Sequence, residues 1–145
     1  MPREYPTAPV VGLGAVVWRD DKVLMIKRGR PPRAGIWSLP GGGQDLGETV
    51  EQGIRRELRE ETGVEVELLG LVAVIDSVQR DAEGRVLYHY TIVDYAARWA
   101  SGEVVAGDDA ADAAWFSLEE LAGLHLWEET LRVIEQSRRF LNGKG

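Results

Sequence analysis

Gly42–Val64 reads GGQDLGETVEQGIRRELREETGV, and its spacing organises the chain. Glu48 follows Gly42 after five residues; seven more lead to the unbroken run Arg56, Glu57, Leu58, Arg59, Glu60, Glu61, Thr62, Gly63, Val64. The second half predicts a helix. Thr49 with Gln52 has the form of a capping box, which satisfies two orphan N–H donors at a helix start. Gly63 suits the left-handed residue that ends one.

This helix is not ordinarily amphipathic. At about 100° per residue, Val50, Ile54 and Leu58 make one apolar stripe. Glu57 and Glu61 project to nearly the same side as Val50, Glu60 lies beside Glu57, and Gly53 leaves room at their border. An unpaired carboxylate at the edge of a buried face is costly and tends to take up a proton, and three together repel. A positive group must sit among them. Arg59 points away from the stripe and Arg56 only flanks it, so a hard divalent cation fits better: Mg²⁺ or Mn²⁺ favours carboxylate oxygens and keeps waters that a phosphate can replace. A solvated Glu/Arg surface with (i, i+4) pairs is the competing reading of RELREE alone. The glycine-rich approach and the full spacing set it aside.

That spacing resembles the signature of the Nudix hydrolase family, with every fixed position filled over residues 42–64. The resemblance implies a Nudix-type α/β/α sandwich, a curved mixed β-sheet between helices, and metal-dependent hydrolysis of a nucleoside diphosphate linked to another group. It implies that Glu57, Glu60 and Glu61 are the catalytic acids and metal ligands. A backbone carbonyl from Gly41 or Gly42 joins the shell, and Glu48 and Arg56 pair to hold loop against helix. An acid from the Ser101–Asp112 stretch completes the metal shell or acts as base. Asp109 is the candidate, with Asp108, Asp112 and Glu103 as rivals.

Working outward, 145 residues predict one domain, with 1–9 an irregular lead-in carrying three prolines. Apolar and charged contents of 44% and 28% are ordinary for a globular chain. The absence of cysteine removes disulfides and thiolate chemistry. No run is long enough to span a bilayer, and MPREYPTAP lacks the apolar core of a secretory signal, so the cytoplasm is the expected location. A net charge of −7 argues against binding long nucleic acid. The same charge makes a polyanionic substrate awkward unless a cation screens it.

Before the central stretch, Val10–Trp18 and Val23–Lys27 predict a hairpin around Arg19–Lys22. Lys27, Arg28, Arg30 and Arg33 form the one dense basic cluster. It reads as a solvated loop or as a loop that meets phosphates, with Arg28 best placed and Arg33 behind it. Gly41 to Gly43 let a backbone approach a ligand without obstruction. Trp37 reads as core.

After the helix, Glu65–Ile75 predicts a strand bent at Gly70. Asp76–Arg85 reads as a polar excursion, Val86–Arg98 as a central strand, and Ala113–Phe116 as a short one. His89 reads as a core or groove histidine; Asp94 has no assignment. Ser117 to Glu120 opens a helix, and Trp127–Leu141 predicts another that packs on the sheet.

The segments Gln79–Gly84 and Ala106–Ala110 resemble the ADP-ribose pyrophosphatase-like branch, which implies ADP-ribose or a related nucleotide sugar or dinucleotide as substrate. A nucleoside triphosphate pyrophosphohydrolase is the alternative enzyme. A non-catalytic nucleotide sensor is the alternative of another class, disfavoured because every box acid is present. The resemblance also allows a homodimer.

Overall fold

Strand β1, Val10–Arg19, turns at Asp20-Asp21 and returns as β2, Lys22–Arg28. Asp20 takes φ 57°, a left-handed value that a short polar side chain tolerates. The computed structural model describes residues 4–29, 35–107 and 110–142. Two short strands follow, β3 (Trp37–Ser38) and β4 (Gly41–Gly43), then helix α1, Val50–Thr62. Strands β5 (Glu65–Arg80), β6 (Val86–Ser101) and β7 (Ala110–Ser117) come next. The chain closes with a one-turn helix α2 (Leu118–Leu121), helix α3 (Glu128–Ser137) and a final 3₁₀ turn at Arg138–Phe140. Among these residues no helix is long and apolar enough to cross a membrane.

The strands form one seven-stranded mixed sheet ordered β3-β2-β1-β6-β5, with β4 paired to β1 and β7 to β2. Only β1 and β6 run parallel; each of the other pairs is antiparallel. Side chains alternate across β1. Leu13, Ala15 and Val17 pack under α1 with Ile54 and Leu58, while Val16 and Trp18 face α3 with Val133 and Ile134. Ile54 and Leu58 are each 1% exposed. Each contributes about 1.5–3 kcal/mol of burial, enough to fix which face of α1 turns inward. The α/β/α sandwich follows from these two cores.

Trp37 packs edge-on against Phe116, ring centroids 4.9 Å apart, as a core residue should. At Gly70 a break in the β5–β6 register bends the strand, and a Cβ there would press on the ring of Phe140. His89 is half-buried opposite Val78.

Three strands run well past their expected bounds, β6 reaching Ser101 rather than Arg98. β5 does not stop at Ile75 but continues through Asp76 to Arg80, and the turn shrinks to residues 81–85. Polar residues there gave a loop reading, yet pairing Asp76–Arg80 with Val86–Thr91 satisfies backbone groups on an exposed ribbon. Likewise β7 begins at Ala110 rather than Ala113, because its first residues pair with Arg28 and Lys27 of β2. At the C-terminus α3 spans Glu128–Ser137, shorter than Trp127–Leu141, since the chain tightens into the 3₁₀ turn.

Candidate active site

Helix α1 is capped as its sequence requires. The Thr49 hydroxyl accepts the Gln52 N–H at 3.1 Å, and the Gln52 side chain accepts the Thr49 N–H at 2.9 Å. At the other end Gly63 adopts φ 78° and its N–H donates to the Leu58 and Arg59 carbonyls. Both ends are thus fixed, which holds Glu57, Glu60 and Glu61 on a rigid support.

Against them lies β4. It pairs with β1 through Gly12↔Gly43, Leu13↔Gly42 and Gly14↔Gly41. The Gly41 N–H donates to Glu61 Oε1 at 2.8 Å. A Cβ on Gly42 would lie 2.5 Å from Glu57 Oε2, so that carboxylate is seated directly on the glycine backbone. Glu61 is 6% exposed and the Glu57 side chain 13%, while that of Glu60 is 46% exposed.

Arg56 reaches further than its helical position suggested. Its Nε donates to Glu48 Oε2 at 2.6 Å and its Nη2 to Glu48 Oε1 at 3.0 Å, the loop-to-helix pair that the Nudix resemblance implies. Nη2 also donates to the Gly43 carbonyl at 2.9 Å, and Nε lies 3.3 Å from Asp45. Its Nη1 donates to Glu57 Oε2 at 2.9 Å and to Glu60 Oε1 at 3.2 Å. Flanking the stripe was therefore too small a role: the guanidinium fork has five donors and spans loop and helix together. These contacts hold the Glu48 carboxyl down to about 2, chiefly through the Arg56 hydrogen bond, and raise Arg56 far above its ordinary value, first through Glu48.

Gly53 also has a different neighbour from the one anticipated. A Cβ there would strike Leu13 and sit 2.9 Å from Glu48 Oε1, so the space serves the sheet contact and the Glu48 pair rather than Glu57, Glu60 and Glu61.

Among the described residues no three Asp, Glu, His or Cys side chains are gathered as a ready cation cage. Glu57 and Glu60 are instead drawn to one Arg56 nitrogen. The donor set still fits a hard divalent cation. Two shielded carboxylates flank a glycine backbone with room for no side chain, and carboxylate and carbonyl oxygens are what such ions take.

The further acid was sought between Ser101 and Asp112. Loop 102–107 is tied to the end of α1: the Val105 N–H donates to the Thr62 carbonyl at 3.0 Å and the Gly107 N–H to the Glu61 carbonyl at 2.9 Å. Asp109 and Asp108, which follow, lie outside the described residues, as do Arg30 and Arg33. Glu103 is exposed, and Asp112 is exposed on β7 with its carboxyl on the Ala113 N–H. Arg28 is half-buried at the end of β2, with its backbone bonded to Gly35 and Ile36. Among the described residues no hydrogen bond or ion pair joins it to the acids of α1, and its Nε is sealed without a partner.

A hollow at the other end of β1, lined by Trp18, Arg19, Arg98 and Trp99, contains none of these groups. Arg19 lies over the Trp99 ring there at 3.7 Å.

The sequence reading missed the Gly41–Glu61 bond, the Gly43 carbonyl on Arg56, and the burial of Asp94. The alternation Gly12-Leu13-Gly14 was the available signal for the last. It marks a strand face with no side chains where a neighbour can come close.

Comparison with known proteins agrees with this geometry. The NUDIX domain profile matches residues 8–137. An ADP-ribose pyrophosphatase of Methanocaldococcus jannaschii is 38% identical over 135 residues, 93% of this chain and 76% of that protein. Two further curated relatives are longer, and the chain spans 55% and 36% of their lengths. Among solved structures, a MutT NUDIX hydrolase from Burkholderia pseudomallei superposes with TM-score 0.77 at 37% identity, covering 89% of this chain and 98% of that one. The NUDIX domain of Shewanella oneidensis NrtR, complexed with ADP ribose, gives 0.74 at 29% identity over 94% and 90% of the two chains.

Proposed function

The chain belongs to the NUDIX hydrolase family, and from that premise we propose that it hydrolyses the diphosphate of ADP-ribose or a closely related nucleoside diphosphate derivative. ADP-ribose and water would give AMP and ribose 5-phosphate. The observation that carries this reading is the seating of Gly41–Gly43 on Glu57 and Glu61. It brings carboxylate and backbone oxygens together beside a strand that carries no side chains.

Glu57, Glu61 and the Gly41 carbonyl would hold a Mg²⁺ or Mn²⁺ ion, with Glu60 and Asp109 as further ligands; the Gly42 carbonyl faces Leu13 across the β1–β4 ladder instead. When bound, such an ion neutralises phosphate charge and acidifies a coordinated water. The chain's own residues do the rest. Arg56 holds Glu57 and Glu60 in place and ties both to the Glu48 loop, so the acids need little reorganisation when substrate arrives. The Glu61 carboxylate anchors Gly41 and thereby sets the height of β4 over the helix. Glu60, the most exposed of the three, is placed to exchange a proton with attacking water. Arg28, Arg33 and the Gly41 backbone are candidates for contact with the substrate phosphates.

A panel of nucleotide sugars, dinucleotides and nucleoside triphosphates, assayed with Mg²⁺ and with EDTA, tests the proposal. The expected result is AMP and ribose 5-phosphate from ADP-ribose, abolished by EDTA. Release of inorganic pyrophosphate from triphosphates, with ADP-ribose untouched, would replace it with the sanitising pyrophosphohydrolase.

A further inference from the structure

Asp94 has no part in the chemistry above. It lies on β6 and is 5% exposed, and among the described residues its side chain takes part in no hydrogen bond or ion pair. A carboxyl so placed is destabilising, and a fold keeps one for a reason. Burial alone pushes it up to about 6. Its neighbours on that face are uncharged: Gly12 and Gly14 of β1, Ala73 and Ile75 of β5, and, on α3, Val133 and Ile134. Among the described residues, Arg28 Nε is the one buried side-chain polar atom both sealed from solvent and unpartnered. The 5% of Asp94 that stays exposed is its opening to solvent.

The route to it runs along the strands. Gly14 is the register partner of Asp94, and Asp94 Oδ1 fills the space where a Gly14 Cβ would stand. Gly12, two residues outward on the same face, likewise raises no side chain. Beyond them come Ile92, Tyr90 and Tyr88, all half-buried, with the two tyrosine rings stacked at 6.5 Å. The result is a flat glycine track, aromatic at its mouth and ending on a carboxyl. The track adjoins the proposed active site, because Gly12 and Gly14 pair on their other side with Gly43 and Gly41.

A flat group with N–H donors matches that surface; a phosphate does not, since the carboxyl would repel it. A metal ion is disfavoured, because among the described residues Asp94 belongs to no cluster of acids or histidines. We propose that Asp94 is a specificity-determining residue: the base of the nucleotide lies over Gly12, short of Gly14, and donates an N–H hydrogen bond to the Asp94 carboxyl. The inference rests on the nucleoside diphosphate reading above.

The test compares wild type, Asp94→Leu and Asp94→Asn on two substrates with Mg²⁺: ADP-ribose, and a ribosyl alkyl diphosphate with no base. Asp94→Leu removes an orphan carboxyl and should raise the melting temperature. Even so, KM for ADP-ribose should rise about 10- to 100-fold, the loss expected for one hydrogen bond to such a group. Its kcat, and both constants on the base-free substrate, should stay at wild-type values. Asp94→Asn keeps an acceptor oxygen and should recover most of the affinity. A second measurement needs no variant: the wild-type KM for an ADP-ribose analogue with a dimethylated base amine should rise by a similar factor. Equal changes on both substrates, or no change on either together with an unaltered KM for the analogue, overturn the inference while leaving the hydrolase intact. If the wild-type protein cleaves neither diphosphate, the functional reading falls and this one with it.

Discussion

Replacing Gly42 with alanine tests the seating of β4 on the helix more sharply than removing an acid would. Gly42 does not require a left-handed backbone, so alanine is permitted by its conformation. The nearest obstacle is Glu57, whose Oε2, Cδ and Oε1 would lie 2.5, 2.6 and 2.7 Å from the new methyl. Ordinary contact begins near 3.4 Å, so from 2.5 Å the carboxylate must retreat by about 0.9 Å. It is the end of a flexible side chain and can do so, at the expense of its 2.9 Å bond to Arg56. A misplacement of about 1 Å at a reacting centre costs about 10²-fold in rate, or about 2.7 kcal/mol of barrier. Fold stability should change by less than about 1 kcal/mol, a shift in melting temperature of no more than about 4 °C. Steady-state kinetics on ADP-ribose with Mg²⁺, beside a thermal melt, read both quantities. The control is Gly41→Ala, whose methyl would run into the Leu13 carbonyl and break the β1–β4 pairing. If Gly42→Ala keeps kcat/KM within about threefold of wild type, the contact with Glu57 has no catalytic meaning.

Glu57→Gln and Glu61→Gln should purify folded, the latter because an amide oxygen still accepts the Gly41 N–H, with kcat reduced by about 10²- to 10⁴-fold in Mg²⁺ assays. Wild-type rates in both would displace the site. Two carboxyls should move stability with pH in opposite senses. Glu48 is lowered from 4.5 to about 2, so its contribution is complete above 4.5 and is lost as pH falls toward 2. Melting curves of Glu48→Gln should therefore converge with wild type only in acid. Asp94 is raised from 3.8 to about 6, so its ionisation weakens the fold as pH rises through that interval, by about 3 kcal/mol in full. Asp94→Asn should gain stability over wild type at pH 8 and not at pH 4; an equal gain at both would contradict the burial argument.

What could be read in advance follows from the range of each interaction. The caps at Thr49 and Gly63 and the apolar stripe Val50-Ile54-Leu58 are local, set by residues within a turn or two. So is the Glu48–Arg56 pair, eight residues apart. The failures are contacts between distant segments. Whether Asp76–Arg80 is loop or strand depends on Val86–Thr91 arriving alongside it. Asp94 is polar in sequence and buried only because Gly14, eighty residues earlier, offers it space. The angle of Arg56 on the helix set it at the flank of the stripe, but a long forked side chain is not confined to the direction of its Cα–Cβ bond.

The backbone bonds from Val105 and Gly107 to the Thr62 and Glu61 carbonyls make loop 102–107 an extension of α1 rather than a free connector. Motion of one is geared to motion of the other, since a displaced loop strands two carbonyls at the helix terminus. A ligand that pulls on residues beyond Gly107 will tighten the last turn of α1, and slowed deuterium exchange at those two amides would register its arrival.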